Sequence, residues 1–201
     1  MSTLKTTNLQ HPSAGVPAIV LDAAGDATYA GVHDFSAATV TGAPQGLVHI
    51  NTTTFSAVSS VSLNNVFTSE FDFYKIILSG VGTNETGGNL RLRTAGTDAS
   101  GSNYNYQSFT NYGTGSNSAT ASTTSFYSWL ISGNTLFAEV EVLGPYLAAH
   151  TRASVVTGRE TASSFAVGYH NLATSYDGFT FIMNAGTLSG TIRVYGYRNE
   201  A

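Results

Sequence analysis

The stretch L-F-A-E-V-E-V at positions 136–142 alternates apolar and charged residues. Because successive side chains of a β-strand point to opposite faces, Glu139 and Glu141 share one face and an apolar row occupies the other. That row consists of Leu136, Ala138, Val140 and Val142. The same period of two recurs at 89–93 (N-L-R-L-R), at 179–183 and at 192–197. The sequence therefore predicts strands with one buried face and one exposed face.

Further segments also predict strands, and Gly, Asn and Ser turns separate them. They lie at 55–67, 71–79, 125–131, 151–157 and 162–169. Short strands at this spacing favour an all-β fold, an antiparallel β-sandwich. We expect a jelly-roll-like arrangement, because eight strands in two sheets fill a chain of 201 residues. Helix is expected only as one short turn at 146–152.

The first fifty residues differ in composition from the rest of the chain. Of the 11 Phe, 11 Tyr and one Trp, only Tyr29 and Phe35 lie in this part, together with three of the four prolines. Aromatic side chains supply much of the area that a core buries, and proline and glycine interrupt helices. We therefore predict an extended N-terminal segment at 1–50, buried against a partner subunit or a larger assembly, and a β-domain at 51–201.

Composition excludes several classes of function. Only 10% of the residues are charged, against about 25% in an ordinary globular protein, and the net charge is -4. No basic surface for nucleic acid is expected from this balance. No apolar run approaches the roughly 18 residues that span a membrane, so we expect no membrane insertion. The absence of cysteine excludes disulfides and thiolate metal sites.

Motifs of catalysis and metal binding are absent from the sequence. The five histidines show no ligand spacing, and neither a phosphate-binding loop nor a G-x-S-x-G nucleophile motif occurs. Glu139 and Glu141 would lie roughly 6.5–7 Å apart on one strand face, a separation that suits an inverting glycoside hydrolase. Alternating charges on a half-buried strand are more often its solvated face. We therefore expect no enzyme, no catalytic residue and no cofactor, and keep a glycan-degrading hydrolase as an alternative.

A segment rich in tyrosine and polar residues is the strongest candidate for ligand binding. Residues 96–125 contain no Leu, Ile, Val or Met, and long segments of this kind in compact domains are usually functional or contact another chain. Tyr104, Tyr106, Tyr112, Tyr127 and Trp129 lie in or near it. Aromatic rings among amides and hydroxyls suit binding of sugars, although the same residues are also enriched in cores and subunit interfaces. Tyr104, Tyr106 and Tyr112 are the predicted ligand or subunit contacts.

Distinctive phrases occur near the N-terminus and along the body of the chain. Positions 4–25 read L-K-T-T-N-L-Q-H-P-S-A-G-V-P-A-I-V-L-D-A-A-G. The body contains F-Y-K-I-I-L-S-G, L-R-L-R-T-A-G-T-D-A-S-G-S-N-Y-N-Y-Q, S-Y-D-G-F-T-F and G-T-I-R-V-Y-G-Y-R. These phrases resemble the virion fibre and tail-associated structural proteins of tailed bacteriophages, notably those that infect cyanobacteria and other marine bacteria.

The resemblance implies a virion protein that is assembled in the host cytoplasm. Its N-terminal segment would attach to other virion proteins, with anchor residues Leu4, Leu9, Pro12, Pro17, Ile19 and Leu21. Its β-domain would be displayed as a component of a tail fibre, a tail adaptor or a head fibre or decoration. Proteins of this kind are commonly homotrimers, in which three copies bury together what one copy cannot. The alternative is a receptor-binding or glycan-binding module for attachment to the host surface.

Overall fold

The computed structural model describes residues 8–9, 19–21, 23, 27–29, 46–84, 87–111, 116–130, 135–159 and 162–198. The chain divides into two compact units, Met1–Pro44 and Gln45–Ala201. In the first unit, an antiparallel three-stranded sheet contains β1 (Asn8–Leu9), β2 (Ile19–Leu21) and β3 (Ala27–Tyr29). β4 (Leu47–Val58) belongs to the second unit, and a domain boundary after residue 50 would fall within this strand.

The second unit contains two antiparallel sheets. Its remaining strands are β5 (Ser60–Leu63), β6 (Phe71–Gly82), β7 (Gly87–Thr94), β8 (Thr97–Asp98), β9 (Tyr104–Asn111), β10 (Ser116–Thr123), β11 (Phe126–Leu130), β12 (Thr135–Leu143), β13 (His150–Arg159), β14 (Ala162–Ala173), β15 (Gly178–Met183) and β16 (Leu188–Arg198). The larger sheet has eight strands in the order β10-β9-β14-β13-β12-β6-β16-β4. The smaller sheet has the order β11-β7-β15-β5, with β8 paired to β7.

Eight of these strands have the connectivity of a jelly roll. In chain order they are β4, β5, β6, β7, β11, β12, β15 and β16. Numbered from one to eight, they lie in the order 1-8-3-6 in the larger sheet and 2-7-4-5 in the smaller. Every step except the one from four to five crosses between the sheets, so two antiparallel layers enclose one core. The prediction of a jelly-roll-like β-sandwich is confirmed. β9, β10, β13 and β14 are insertions that extend the larger sheet beyond β12.

The core contains the apolar rows that the alternation predicted. Leu136, Val140 and Val142 on β12 are at most 1% exposed, and Leu92 and Phe181 on the smaller sheet are equally buried. Burial of each such side chain stabilises the fold by about 1.5–3 kcal/mol before the entropy of ordering is subtracted. One continuous core cluster joins residues of both sheets. The pleat of the larger sheet therefore fixes which of its residues remain on the outer face.

Two sequence predictions about local structure are wrong. The predicted helical turn at 146–152 is a turn and bend at 144–149, followed by β13 from His150. The predicted single strand at 55–67 is divided between β4 and β5 at Ser59. Its division follows from a bulge against β16, where Ala57 has a left-handed φ of 51° and donates its N–H to Ser189 Oγ. A bulge bends the strand, so the chain passes to the other sheet.

Candidate functional site

The outer face of the eight-stranded sheet carries exposed apolar side chains. They are Val81 on β6, Phe137 on β12, Val156 on β13, Phe165 on β14 and Phe109 on β9, with 46–61% of each exposed. The register places Phe165 directly opposite both Val156 and Phe109. Phe137 lies diagonally across from Val156, because its own partner is Gly158. Val81 in turn lies diagonally across from Phe137, because its own partner is Thr135. We call these five residues, on five adjacent strands, the apolar band.

The apolar band is about as large as the largest apolar patch on a typical monomer. With about 150–250 Å² available on each aromatic side chain, its exposed area is on the order of 400 Å², within the size range of the patches that commonly mark interaction sites. Solvated sheet faces ordinarily carry polar side chains at these positions. The band is therefore a candidate surface for protein association.

A charged cluster lies on the same outer face beside the band. Glu139 and Glu141 both lie there, and Lys75 Nζ is 2.7 Å from Glu139 Oε1. The hydrogen bond from Lys75 to Glu139 raises the pKa of the lysine. Next to them, the rings of Phe73 and Tyr197 pack edge to face with centroids 4.7 Å apart. The two glutamates thus lie on an open, solvated surface, with one already bound to a lysine.

A groove of about 490 Å³ opens on the outer face beside the apolar band. We define the groove by Asn105 and Gln107 on β9, Arg152 on β13, and Val167 and Tyr169 on β14, with Ala119 and Ala121 of β10 along one side. Its volume lies within the roughly 300–1,000 Å³ that is usual for small-molecule sites. It combines apolar walls with a few polar groups, as binding sites commonly do.

Strand register brings the polar groups of the groove together. Tyr169 is paired with Asn105 on one side and with Arg152 on the other, so the three lie in one row across three strands. Tyr169 is 45% exposed, and its ring stacks on that of His150 with centroids 6.4 Å apart. Arg152 is exposed and forms no ion pair within the described part of the chain.

A bulge in β10 holds one amide of the groove. The register between β10 and β9 shifts between Thr120 and Thr123, and Ser122 there has a left-handed φ of 57°. This conformation directs the Ser122 N–H to Asn105 Oδ1 at 3.2 Å. This hydrogen bond fixes the side-chain amide of Asn105 at the wall of the groove.

The predicted contact residues Tyr104, Tyr106 and Tyr112 do not form one site. Tyr104 is fully buried, so the prediction that it contacts a ligand or another subunit is wrong. Its hydroxyl donates to Ala99 O at 2.8 Å and accepts from Leu92 N at 3.0 Å, and burial raises its pKa. Tyr106 is half-buried and lines the groove. Tyr112 lies outside the described residues, as do the side chains of Tyr127 and Trp129.

The predicted anchor residues are only partly described. Leu9 lies in β1, and Ile19 and Leu21 lie in β2. Ile19 is half-buried. Leu4, Pro12 and Pro17 lie outside the described residues. Their role as a virion anchor stays a prediction.

A buried polar cluster lies in the core beneath the groove strands. His170 is fully buried, with its Nδ1 3.1 Å from the hydroxyl of Tyr176, and its ring packs on Tyr104 at a centroid distance of 4.4 Å. Desolvation lowers the pKa of His170. Within the described residues, His170 Nε2 and Thr151 Oγ1 have no hydrogen-bond partner. This cluster is enclosed, so it bears on stability and not on ligand access.

The described residues contain neither a candidate metal site nor a candidate membrane-spanning helix. No three His, Asp or Glu side chains among them gather as they would around a metal ion. No helix of membrane-spanning length and apolarity occurs in the same part of the chain. Comparison of the sequence with known protein families and with curated proteins finds no match.

Proposed function

We propose that this protein is a non-catalytic structural component of a tailed-phage virion, a tail fibre, tail adaptor or head fibre protein, which self-associates through the apolar band. The observation that carries the proposal is the band itself, five exposed apolar side chains on the outer face of the larger sheet. The resemblance of the 4–25 phrase and of the body to phage virion proteins supports the virion context. The jelly roll is a fold that viral capsid proteins and lectins use, although a fold alone does not define a function.

A second copy of this chain is the occupant that suits the band best. An area on the order of 400 Å² is about half of what one partner contributes to a standard interface, so a strongly bound partner would need neighbouring surface as well. In a closed symmetric oligomer the same patch is buried in every copy, and each copy also buries the surface around its patch. The low charge content of the chain leaves little electrostatic repulsion between copies. Any closed homo-oligomer meets these conditions, and the resemblance to phage virion proteins favours a homotrimer among them.

The oligomeric state tests this part of the proposal. Analytical ultracentrifugation of the full chain should show a trimer, and the double variant Phe137→Ser/Phe165→Ser should shift it to monomer without loss of the β-sheet circular dichroism spectrum. Leu147→Ser is the matched control, because Leu147 is similarly exposed at 47% but follows β12 in a loop. A monomeric wild type, or a double variant that stays trimeric, would refute association through the band.

Location on a particle tests the virion context separately. Antibodies against this chain should label intact phage particles at one repeated position in cryo-electron micrographs. A chain that lacks residues 1–45 should remain folded and compete less well for incorporation into particles, because the proposed anchor is missing. Abundant protein in lysates with no label on purified particles would contradict a virion role.

Attachment to host-surface glycans is the second candidate function. The groove favours it, since Tyr169 offers an exposed aromatic ring beside the amides of Asn105 and Gln107. Aromatic faces pack on sugar rings, and amide groups both donate to and accept from hydroxyls. Glycan-array binding by the wild type that is lost in Tyr169→Ala would support this function. Binding that is unchanged in the variant would place the site elsewhere.

A further inference from the structure

The residues that line the groove carry one positive charge and no negative charge. Arg152 is the only ionised side chain among the residues that line it, and no carboxylate lines it. The guanidinium forms no ion pair within the described residues. The two arginines of β7 in the smaller sheet are engaged differently: Arg93 pairs with Asp98, and Arg91 donates to Thr124. Arg152 thus combines an unpaired charge with a concave, partly apolar surface.

We propose that the groove binds an acidic sugar unit, one that carries a carboxylate or a sulfate, through the guanidinium of Arg152. This inference rests on the proposed glycan-attachment function. The planar fork of arginine donates two parallel hydrogen bonds to a carboxylate or sulfate, a geometry that a point charge does not reproduce. Tyr169 lies directly opposite Arg152 in the register and packs on the sugar ring, and Asn105 and Gln107 bind its hydroxyls.

The negative net charge of the chain favours a ligand that carries only one acidic group. Its net charge of -4 repels extended polyanions, so a single arginine attracts an anionic group only at short range. The groove therefore suits one acidic unit within an otherwise neutral glycan.

The experiment compares acidic sugars with their neutral counterparts on the full chain. A glycan array with neutral, carboxylated and sulfated members identifies the class, and calorimetry then compares a neutral oligosaccharide that carries one terminal galacturonate with its methyl ester, which removes the charge but keeps the ring. A matched pair of sulfated and desulfated galactan oligosaccharides distinguishes sulfate from carboxylate. The wild type should prefer the charged member of one pair by about tenfold or more, as charge-assisted hydrogen bonds require.

Substitutions of Arg152 test whether this residue causes the preference for the charged sugar. Arg152→Gln should abolish the preference for the charged sugar, and Arg152→Lys should retain only part of it. Arg193→Gln is the control, because Arg193 is exposed on β16 of the same sheet and outside the groove. Equal binding of charged and neutral sugars, or a preference that survives in Arg152→Gln, overturns this inference and leaves glycan attachment standing. No binding to any array member overturns both.

Discussion

Removal of one hydroxyl group from the core tests the placement of Tyr104. In Tyr104→Phe the ring remains, with its edge-to-face contact to Phe126 at 4.8 Å, and only the hydrogen bonds to Leu92 and Ala99 are lost. The N–H of Leu92 lies in the buried core, where water does not replace the lost acceptor, whereas Ala99 is half-buried and can be solvated. The substitution therefore leaves one buried donor without a partner.

The destabilisation of Tyr104→Phe follows from the single buried N–H of Leu92 that loses its acceptor. An unsatisfied buried donor destabilises a protein by about 1–3 kcal/mol. For a domain of this size, each kcal/mol lowers Tm by about 2–4 °C, so the expected decrease is between about 2 and 12 °C. Tyr104→Ala would also open a cavity and cost roughly 3–5 kcal/mol more, a large part of the 5–15 kcal/mol that a typical domain has. A loss of binding in that variant would report unfolding and not a ligand contact.

Urea unfolding and differential scanning calorimetry measure the effect. The matched control is Tyr169→Phe, which removes the same hydroxyl from a side chain that is 45% exposed on the outer face. We expect the control to stay within about 0.5 kcal/mol of the wild type. A Tyr104→Phe variant as stable as the wild type, or a control that is equally destabilised, would refute the assignment of Tyr104 to the core network.

Three further predictions concern stability. Burial lowers the pKa of His170, so below about pH 6.5 the unfolded chain binds a proton that the folded chain excludes. The free energy of unfolding should therefore fall as the pH decreases below about 6.5. Urea titrations of His170→Gln should show a weaker decrease. Gly190→Ala should lower the free energy of unfolding by about 1–3 kcal/mol, since an added Cβ would clash with the backbone of β6. Gly158 has open space around it, so Gly158→Ala should be neutral or slightly stabilising in the same urea titrations. Arg93→Lys should lower Tm measurably in calorimetry, because the guanidinium joins side chains of β5, β8 and β15 and an ammonium cannot reach all of them. An unchanged pH profile, equal effects of the two glycine variants or an unaltered Tm would contradict the respective prediction.

The candidate site was only partly predictable, since its residues are distant in the sequence. The Tyr-rich segment pointed to β9, but the alternation within that strand directs Tyr104 into the core and Asn105 and Gln107 to the outer face. Arg152 and Tyr169 carry no motif of their own. They meet Asn105 only through the pairing of β14 with β13 and β9.

The sequence by itself determined the elements whose pattern is local. The alternation at 89–93, 136–142 and 192–197 predicted β7, β12 and β16, because the period of side chains along a strand depends only on the backbone of that strand. The tertiary structure decided the features that depend on pairing and packing with other strands of the chain. β10 contains no large apolar residue and is a strand because β9 pairs with it, and the split of 55–67 follows from a bulge against β16. Which side chains of the larger sheet face outward, and hence the apolar band and the groove, is fixed by burial of the opposite face against the second sheet, a non-local condition that no single stretch of sequence contains.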